Sequence, residues 1–239
     1  MIEIIQNPSP NFGERRNGKK PDMLVFHYTD MVNPTKALER MCDPLTEVSA
    51  HYLIDEAGAI FQLVQEDKRA WHAGISQWGD EKDINSCSIG IELSNPGHSN
   101  GLAPFPIPQI ESLVALSKDI IARHAIPTER IIGHSDIAPG RKIDPGPMFP
   151  WEALARENIG MWPDSAHEVS NLEKYFILKT LAKIGYDVTS EKDAISAFQL
   201  HYRAGDHSGV EDDETLRLAI NLLESQPKVT PLLYLWRKP

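Results

Sequence analysis

An α/β domain followed by a small C-terminal bundle of three helices is the architecture that this 239-residue sequence predicts, on three observations. Short apolar runs of strand length alternate with segments of helical period through the first part of the chain. The run Gly160-Met161-Trp162-Pro163-Asp164-Ser165 then breaks the periodicity with turn formers. Three helical patterns follow it, about Val169 to Ile184, Glu191 to Tyr202 and Asp212 to Leu223. The expected organisation is a first domain over residues 1–159, a linker over 160–168, a helical unit over 169–226 and a tail over 227–239.

Met23-Leu24-Val25-Phe26 reads as a buried strand that delivers His27 to the edge of a sheet. Asn33-Pro34 is a helix cap followed by proline at the first helical position, opening a helix to about Cys42. His51 to Asp55, the turn Glu56-Ala57-Gly58 and Ile60 to Val64 make a hairpin, and Ser88 to Leu93 is a further strand. After Pro108 the residues Ile110, Leu113, Val114, Leu116, Ser117, Ile120 and Ile121 recur at helical spacing, which predicts a long helix ending near His124. Arg130 to Gly133 is a last strand feeding a polar loop. In the helical unit the expected core is Leu172, Phe176, Leu181, Ile195, Phe198, Leu200, Leu216 and Ile220.

An apolar fraction of 41% and a charged fraction of 24% are those of a soluble globular chain with a sizeable core. The net charge of -10 excludes broad phosphate-backbone contact, so no nucleic-acid partner is expected. Met1 to Pro8 lacks a basic start followed by a long apolar run, and no membrane span follows. With Cys42 and Cys87 as its two cysteines, the chain carries no disulfide framework. The expected compartment is the cytoplasm, or the periplasm if an export signal once preceded this sequence.

The loop from Gly133 to Pro147 packs an imidazole, two carboxylates and two cations among prolines and glycines, a composition suited to holding polar groups at fixed positions. His134 and Asp144 are candidate metal ligands. One further imidazole would complete a zinc site of two nitrogens and a carboxylate, with a fourth position open for water. His27, at its strand end, reads either as that imidazole or as a core histidine. Glu92 shares one strand face with Gly90, and reads either as a solvated acid or as a general base beside the metal. Lys142 lies two residues before Asp144, where it is either a surface lysine or a cation that stabilises an oxyanion.

Five motifs in order carry a family resemblance: Val25-Phe26-His27-Tyr28-Thr29; Val48 to Ile54; Ala70-Trp71-His72-Ala73-Gly74; Asn85 to Glu92; and Gly133-His134-Ser135-Asp136 through Arg141 to Pro147. The set resembles the type 2 N-acetylmuramoyl-L-alanine amidases, zinc enzymes related to amidase-type phage lysozymes and peptidoglycan recognition proteins. The resemblance implies a central mixed β-sheet flanked by helices. It implies that His27, His134 and Asp144 bind one zinc ion (Zn2+), that Glu92 is the base, and that Lys142 steadies the tetrahedral intermediate. It implies further that Arg141 grips a stem-peptide carboxylate, and that Asn85, His51, Trp71 and His72 line the cleft. The expected reaction is hydrolysis of the amide between the lactyl group of N-acetylmuramic acid, including its anhydro form, and L-alanine of the stem peptide. The alternative is a non-catalytic peptidoglycan-binding protein. Leu181 to Asp187, Ala194 to Gln199 and Asp212 to Thr215 resemble a small peptidoglycan-binding domain, which implies polymeric peptidoglycan or its fragments as partners.

Overall fold

The computed structural model describes residues 2–163 and 176–226. Its strands are β1 (Ile4–Gln6), β2 (Phe12–Glu14), β3 (Met23–Tyr28), β4 (Tyr52–Ile54), β5 (Ile60–Gln62), β6 (Lys68–Ala70), β7 (Ser88–Leu93) and β8 (Ile131–Gly133). Its helices are α1 (Pro34–Cys42), α2 (Ile84–Cys87), α3 (Ile107–His124), α4 (His134–Ile137), α5 (Trp151–Arg156), α6 (Ile177–Ile184), α7 (Glu191–Tyr202) and α8 (Asp213–Ser225).

Six strands form a mixed sheet in the order β1-β5-β4-β7-β3-β8, while β2 and β6 pair as a separate antiparallel ribbon. β3 runs parallel to both β7 and β8, and β4 and β5 form the antiparallel hairpin expected from sequence. Every residue of β3 is buried, as an interior strand covered on both faces requires. Alternate side chains of β3 enter two different cores. Leu24 and Phe26 join Leu113, Leu116 and Ile120 of α3 with Trp151 and Leu154 of α5. Met23 and Val25 join Leu181 of α6, Phe198 of α7 and Leu216 and Ile220 of α8. The three C-terminal helices therefore cover one face of the sheet, and α3 and α5 the other. A smaller cluster under α1 holds Ala37, Met41, Leu53 and Val64.

The caps explain several boundaries. The Asn33 side chain accepts from the backbone N–H groups of Thr35 and Lys36 at the start of α1, and Asp212 accepts from Thr215 N at the start of α8. Phe176, expected in the core, is instead 62% exposed, because it precedes α6 in extended backbone; the Lys179 ammonium lies 4.9 Å over its ring. Leu172 and the expected helical turns before Phe176 lie outside the described residues. Trp162 packs against Tyr202 of α7 with ring centroids 5.7 Å apart. Neither cysteine is in a disulfide, and among the described residues no helix is long and apolar enough to cross a membrane.

Candidate active site

Register places the first two site residues. Phe26 pairs with Gly133 on the parallel strands β3 and β8, so His27 and His134 leave the sheet side by side at the C-terminal ends of those strands. β8 passes directly into the single turn α4 at His134, and the following loop returns to place Asp144, whose carbonyl accepts from Ser135 N at 2.8 Å. His27 Nδ1 and His134 Nδ1 lie 2.9 Å apart, and Asp144 Oδ2 is 3.1 and 3.0 Å from them. All three residues are buried and could hold a metal ion.

The surrounding hydrogen bonds support that use. His134 Nε2 lies 3.1 Å from the Ala73 carbonyl, which only accepts, so His134 carries its proton there and presents a bare Nδ1 to the centre. Burial and then the neighbouring His134 push the His27 imidazole down to about 4, which keeps it neutral and able to donate a lone pair. Burial opposes ionisation of Asp144, but positive charge and hydrogen bonds from His134 and then His27 outweigh it in the metal-free site and hold the carboxylate well below its usual range, the part a bound cation would take over once both Nδ1 atoms are bare. Two nitrogen lone pairs and an anionic oxygen facing one point are mutually unfavourable without a cation between them. The donor set of two imidazoles and one carboxylate fits zinc with an open position.

Glu92 pairs with His27 across β3 and β7, and its side chain lines the cleft together with His134 and Asp144. Its Oε2 is buried and has no hydrogen-bond partner among the described residues. Burial, reinforced by Asp144 and partly offset by Lys142, pushes the carboxyl up to about 8. The cleft, about 850 Å³, is also lined by Trp71, His72, Asn85, Arg141 and Lys142. Arg141 donates through Nη2 to the carbonyls of Ala73 (2.7 Å) and Ile75 (2.6 Å), which fixes its guanidinium along one wall. Asn85 accepts through Oδ1 from the backbone N–H groups of His72 and Ala73, tying that wall to α2. His72 has one ring nitrogen 3.0 Å from His27 Nε2 and the other 3.1 Å from Ser88 Oγ. Burial and the adjacent imidazoles His27 and His51 push it well below the usual histidine value.

His51 is a correction. It is fully buried and does not reach the cleft, because both ring nitrogens bind backbone: Nδ1 accepts from Gly90 N at 3.0 Å, and Nε2 donates to the Lys68 carbonyl at 3.1 Å. Burial, then the nearby Arg15 cation, pushes it down to about 3. Arg15 itself gave no sequence signal. Its guanidinium donates to the carbonyls of Glu66 (2.9 Å), Ser86 (3.0 Å) and Ser88 (3.0 Å), bracing the segments behind the cleft. Tyr28, next to His27, also lines the cleft.

The family described as N-acetylmuramoyl-L-alanine amidase matches residues 17–147. The N-acetylmuramoyl-L-alanine amidase AmiD of Escherichia coli (strain K12) is 40% identical over 229 residues, which is 84% of this chain and 82% of that protein. The 1,6-anhydro-N-acetylmuramyl-L-alanine amidase AmpD of Enterobacter cloacae is 36% identical over 63% of this chain and 88% of its own length. Among solved structures, the E. coli AmiD complex with anhydro-N-acetylmuramic acid-L-Ala-D-gamma-Glu-L-Lys superposes with a TM-score of 0.77 at 38% identity, covering 87% of this chain and 91% of that one. AmpDh3 of Pseudomonas aeruginosa superposes with the same TM-score at 32% identity, over 87% of this chain and 93% of its own. The family match spans more than half of the chain and takes in His27, Glu92, His134 and Asp144, the residues that meet in the cleft; the chain belongs to the N-acetylmuramoyl-L-alanine amidase family.

Proposed function

We propose that this amidase is zinc-dependent, with His27, His134 and Asp144 as ligands, and that it hydrolyses the amide between the lactyl group of N-acetylmuramic acid or its 1,6-anhydro form and L-alanine of the stem peptide. The reading is carried by the convergence of two imidazole nitrogens and one carboxylate oxygen in a cleft also lined by Glu92, whose buried Oε2 has no partner among the described residues. A zinc ion held by such a set acidifies water to near neutrality and polarises a carbonyl.

The chain's own residues supply the remaining chemistry. Glu92, raised towards neutrality, takes a proton from the attacking water and returns it to the departing L-alanine nitrogen. Lys142, on the cleft wall, stabilises negative charge on the former carbonyl oxygen. Arg141, anchored by Nη2, directs its other donors at a stem-peptide carboxylate, which favours a diaminopimelate peptide with its additional carboxylate. Trp71 and Asn85 form the walls against which sugar and peptide rest.

The biological setting follows the substrate, cell-wall turnover or muropeptide recycling. Recycling of soluble anhydro-muropeptides is supported by the substrates named for AmiD and AmpD. Polymeric peptidoglycan in the periplasm is the setting supported by the resemblance of Leu181 to Asp187, Ala194 to Gln199 and Asp212 to Thr215 to a peptidoglycan-binding domain. Mass spectrometry of products from anhydro-muropeptide and intact sacculi, each with and without chelator, tests the proposal. Free stem peptide that disappears on chelation is expected. Intact substrate after incubation with the zinc-loaded protein would favour a binding protein instead. Glu92→Ala is expected to keep zinc and lose turnover, whereas His134→Ala loses both.

A further inference from the structure

We infer that His72 is a positioning residue: through Ser88 and the Ile84 carbonyl it holds His27 in the tautomer whose Nδ1 is free to bind metal. The inference rests on the zinc reading above and assigns His72 a role other than touching substrate.

The proton order follows from the fixed end of the chain of contacts. The Ile84 carbonyl only accepts, so the Ser88 hydroxyl donates to it at 2.6 Å. The Ser88 oxygen is then an acceptor for His72 Nε2–H at 3.1 Å. A neutral His72 protonated at Nε2 has a bare Nδ1, which accepts from His27 Nε2–H at 3.0 Å. His27 is left with a bare Nδ1, the atom that faces His134 and Asp144. Reversing any one bond would leave two protons or two lone pairs opposed elsewhere in a fully buried row. The Ala73 carbonyl orders His134 in the same sense, and Asn85 holds both His72 and Ala73 by their backbone N–H groups.

The sheet is shaped to admit this ring. A Cβ on Gly90 of β7 would lie 2.5 Å from His72 Cγ, so the imidazole occupies space that any other residue at position 90 would fill. With 6% of its surface exposed and both nitrogens engaged, His72 has no polar atom left to offer a ligand.

Two measurements on the full chain test the inference. Long-range 1H–15N spectra of the chelator-treated protein should show His27 as the Nε2–H tautomer, a readout that needs no metal. Zinc affinity, measured by competition with a chromophoric chelator at neutral pH, should fall about tenfold to a hundredfold in His72→Phe. It should fall in the same direction in Ser88→Ala, and largely recover in His72→Asn, whose Oδ1 takes the place of Nδ1. KM of the zinc-saturated variants should stay near wild type. His27 found as the Nδ1–H tautomer would overturn the inference, as would unchanged zinc affinity in Ser88→Ala and His72→Phe. A raised KM at wild-type zinc affinity would return His72 to the substrate contacts. If His72→Phe does not fold, Ser88→Ala and the tautomer decide. Wild-type protein that binds no zinc would instead remove the metal reading, leaving the tautomer to judge the relay.

Discussion

The Asp136 carboxylate accepts a hydrogen bond from His201 Nδ1 at 2.8 Å, joining the turn that carries His134 to helix α7 inside the protein. Both side chains are essentially inaccessible to solvent. Asp136 also accepts from Tyr186 Oη at 2.6 Å and from Gly133 N at 2.7 Å, and the His201 ring stacks on Trp151 at a centroid distance of 3.7 Å. The C-terminal helices thus hold the segment from which His134 projects. His201→Leu removes a partner from a buried carboxylate and should cost about 3 kcal/mol. Tyr186→Phe should cost about 1–2 kcal/mol. Denaturant midpoints and zinc content measured together check this, and a His201→Leu protein with both at wild-type values would show that α7 does not support the metal turn.

Gly90→Ala isolates packing from chemistry. The added methyl would meet the His72 ring at 2.5 to 2.8 Å, well inside contact distance. The ring has nowhere to retreat between His27 and His51, with centroids 5.0 and 5.8 Å away. Overpacking of this kind costs about 1–3 kcal/mol, and displacement of His72 should weaken zinc binding as well. Calorimetry and zinc titration would report both effects, whereas wild-type values in each would mean that His72 moves without consequence.

Parts of this arrangement could be read in advance because burial leaves a mark on sequence. β3 is an interior parallel strand and appears as an apolar run, β7 alternates Ile89, Ile91 and Leu93 with Ser88, Gly90 and Glu92, and α3 is long enough to repeat its period. β1, β2 and β6 have three residues each, too few to show alternation. His134 and Asp144 stand out through the composition of their loop. What joins them to His27 is the pairing of Phe26 with Gly133, a register that no local spacing encodes. His51 misled for a related reason: residue type announces chemistry but not depth, and its nitrogens are satisfied by backbone behind β7. Phe176 has the apolar character of a core residue but stands in extended backbone immediately before α6, where its side chain faces outward.

Glu66 ties the hairpin side of the sheet to the end of α3 and should set part of the acid sensitivity. Burial opposes its ionisation, but hydrogen bonds from Arg123, His124 and Tyr52 prevail and pull it down to about 2. The Arg123 Nη2 and Tyr52 Oη bonds are 2.8 Å long, and His124 Nε2 lies at 2.6 Å. A depressed carboxylate stabilises the fold above its unfolded value near 4.5 and loses that contribution as pH falls towards 2. Glu66→Gln should therefore lower stability at neutral pH by about 1–3 kcal/mol, with the gap to wild type closing below pH 4. A gap that is constant with pH would show that Glu66 contributes through packing alone.

Glu92 carries the opposite sign. Its folded value near 8 lies above its unfolded value near 4.5, so between these limits the unfolded chain releases a proton that the metal-free fold retains. Stability of the chelator-treated protein should fall as pH rises through that window, since the folded state binds more protons than the unfolded one. A carboxamide cannot ionise, so metal-free Glu92→Gln should match wild type near pH 5 and exceed it by a few kcal/mol near pH 8. A bound cation favours the ionised carboxylate and should shrink the difference in zinc-loaded protein. Urea melts of both proteins across this range, with and without zinc, decide the matter. Parallel stability curves for the two metal-free proteins would show that Glu92 is already ionised in the cleft, and its fitness as a proton carrier near neutrality would then depend on the metal rather than on burial.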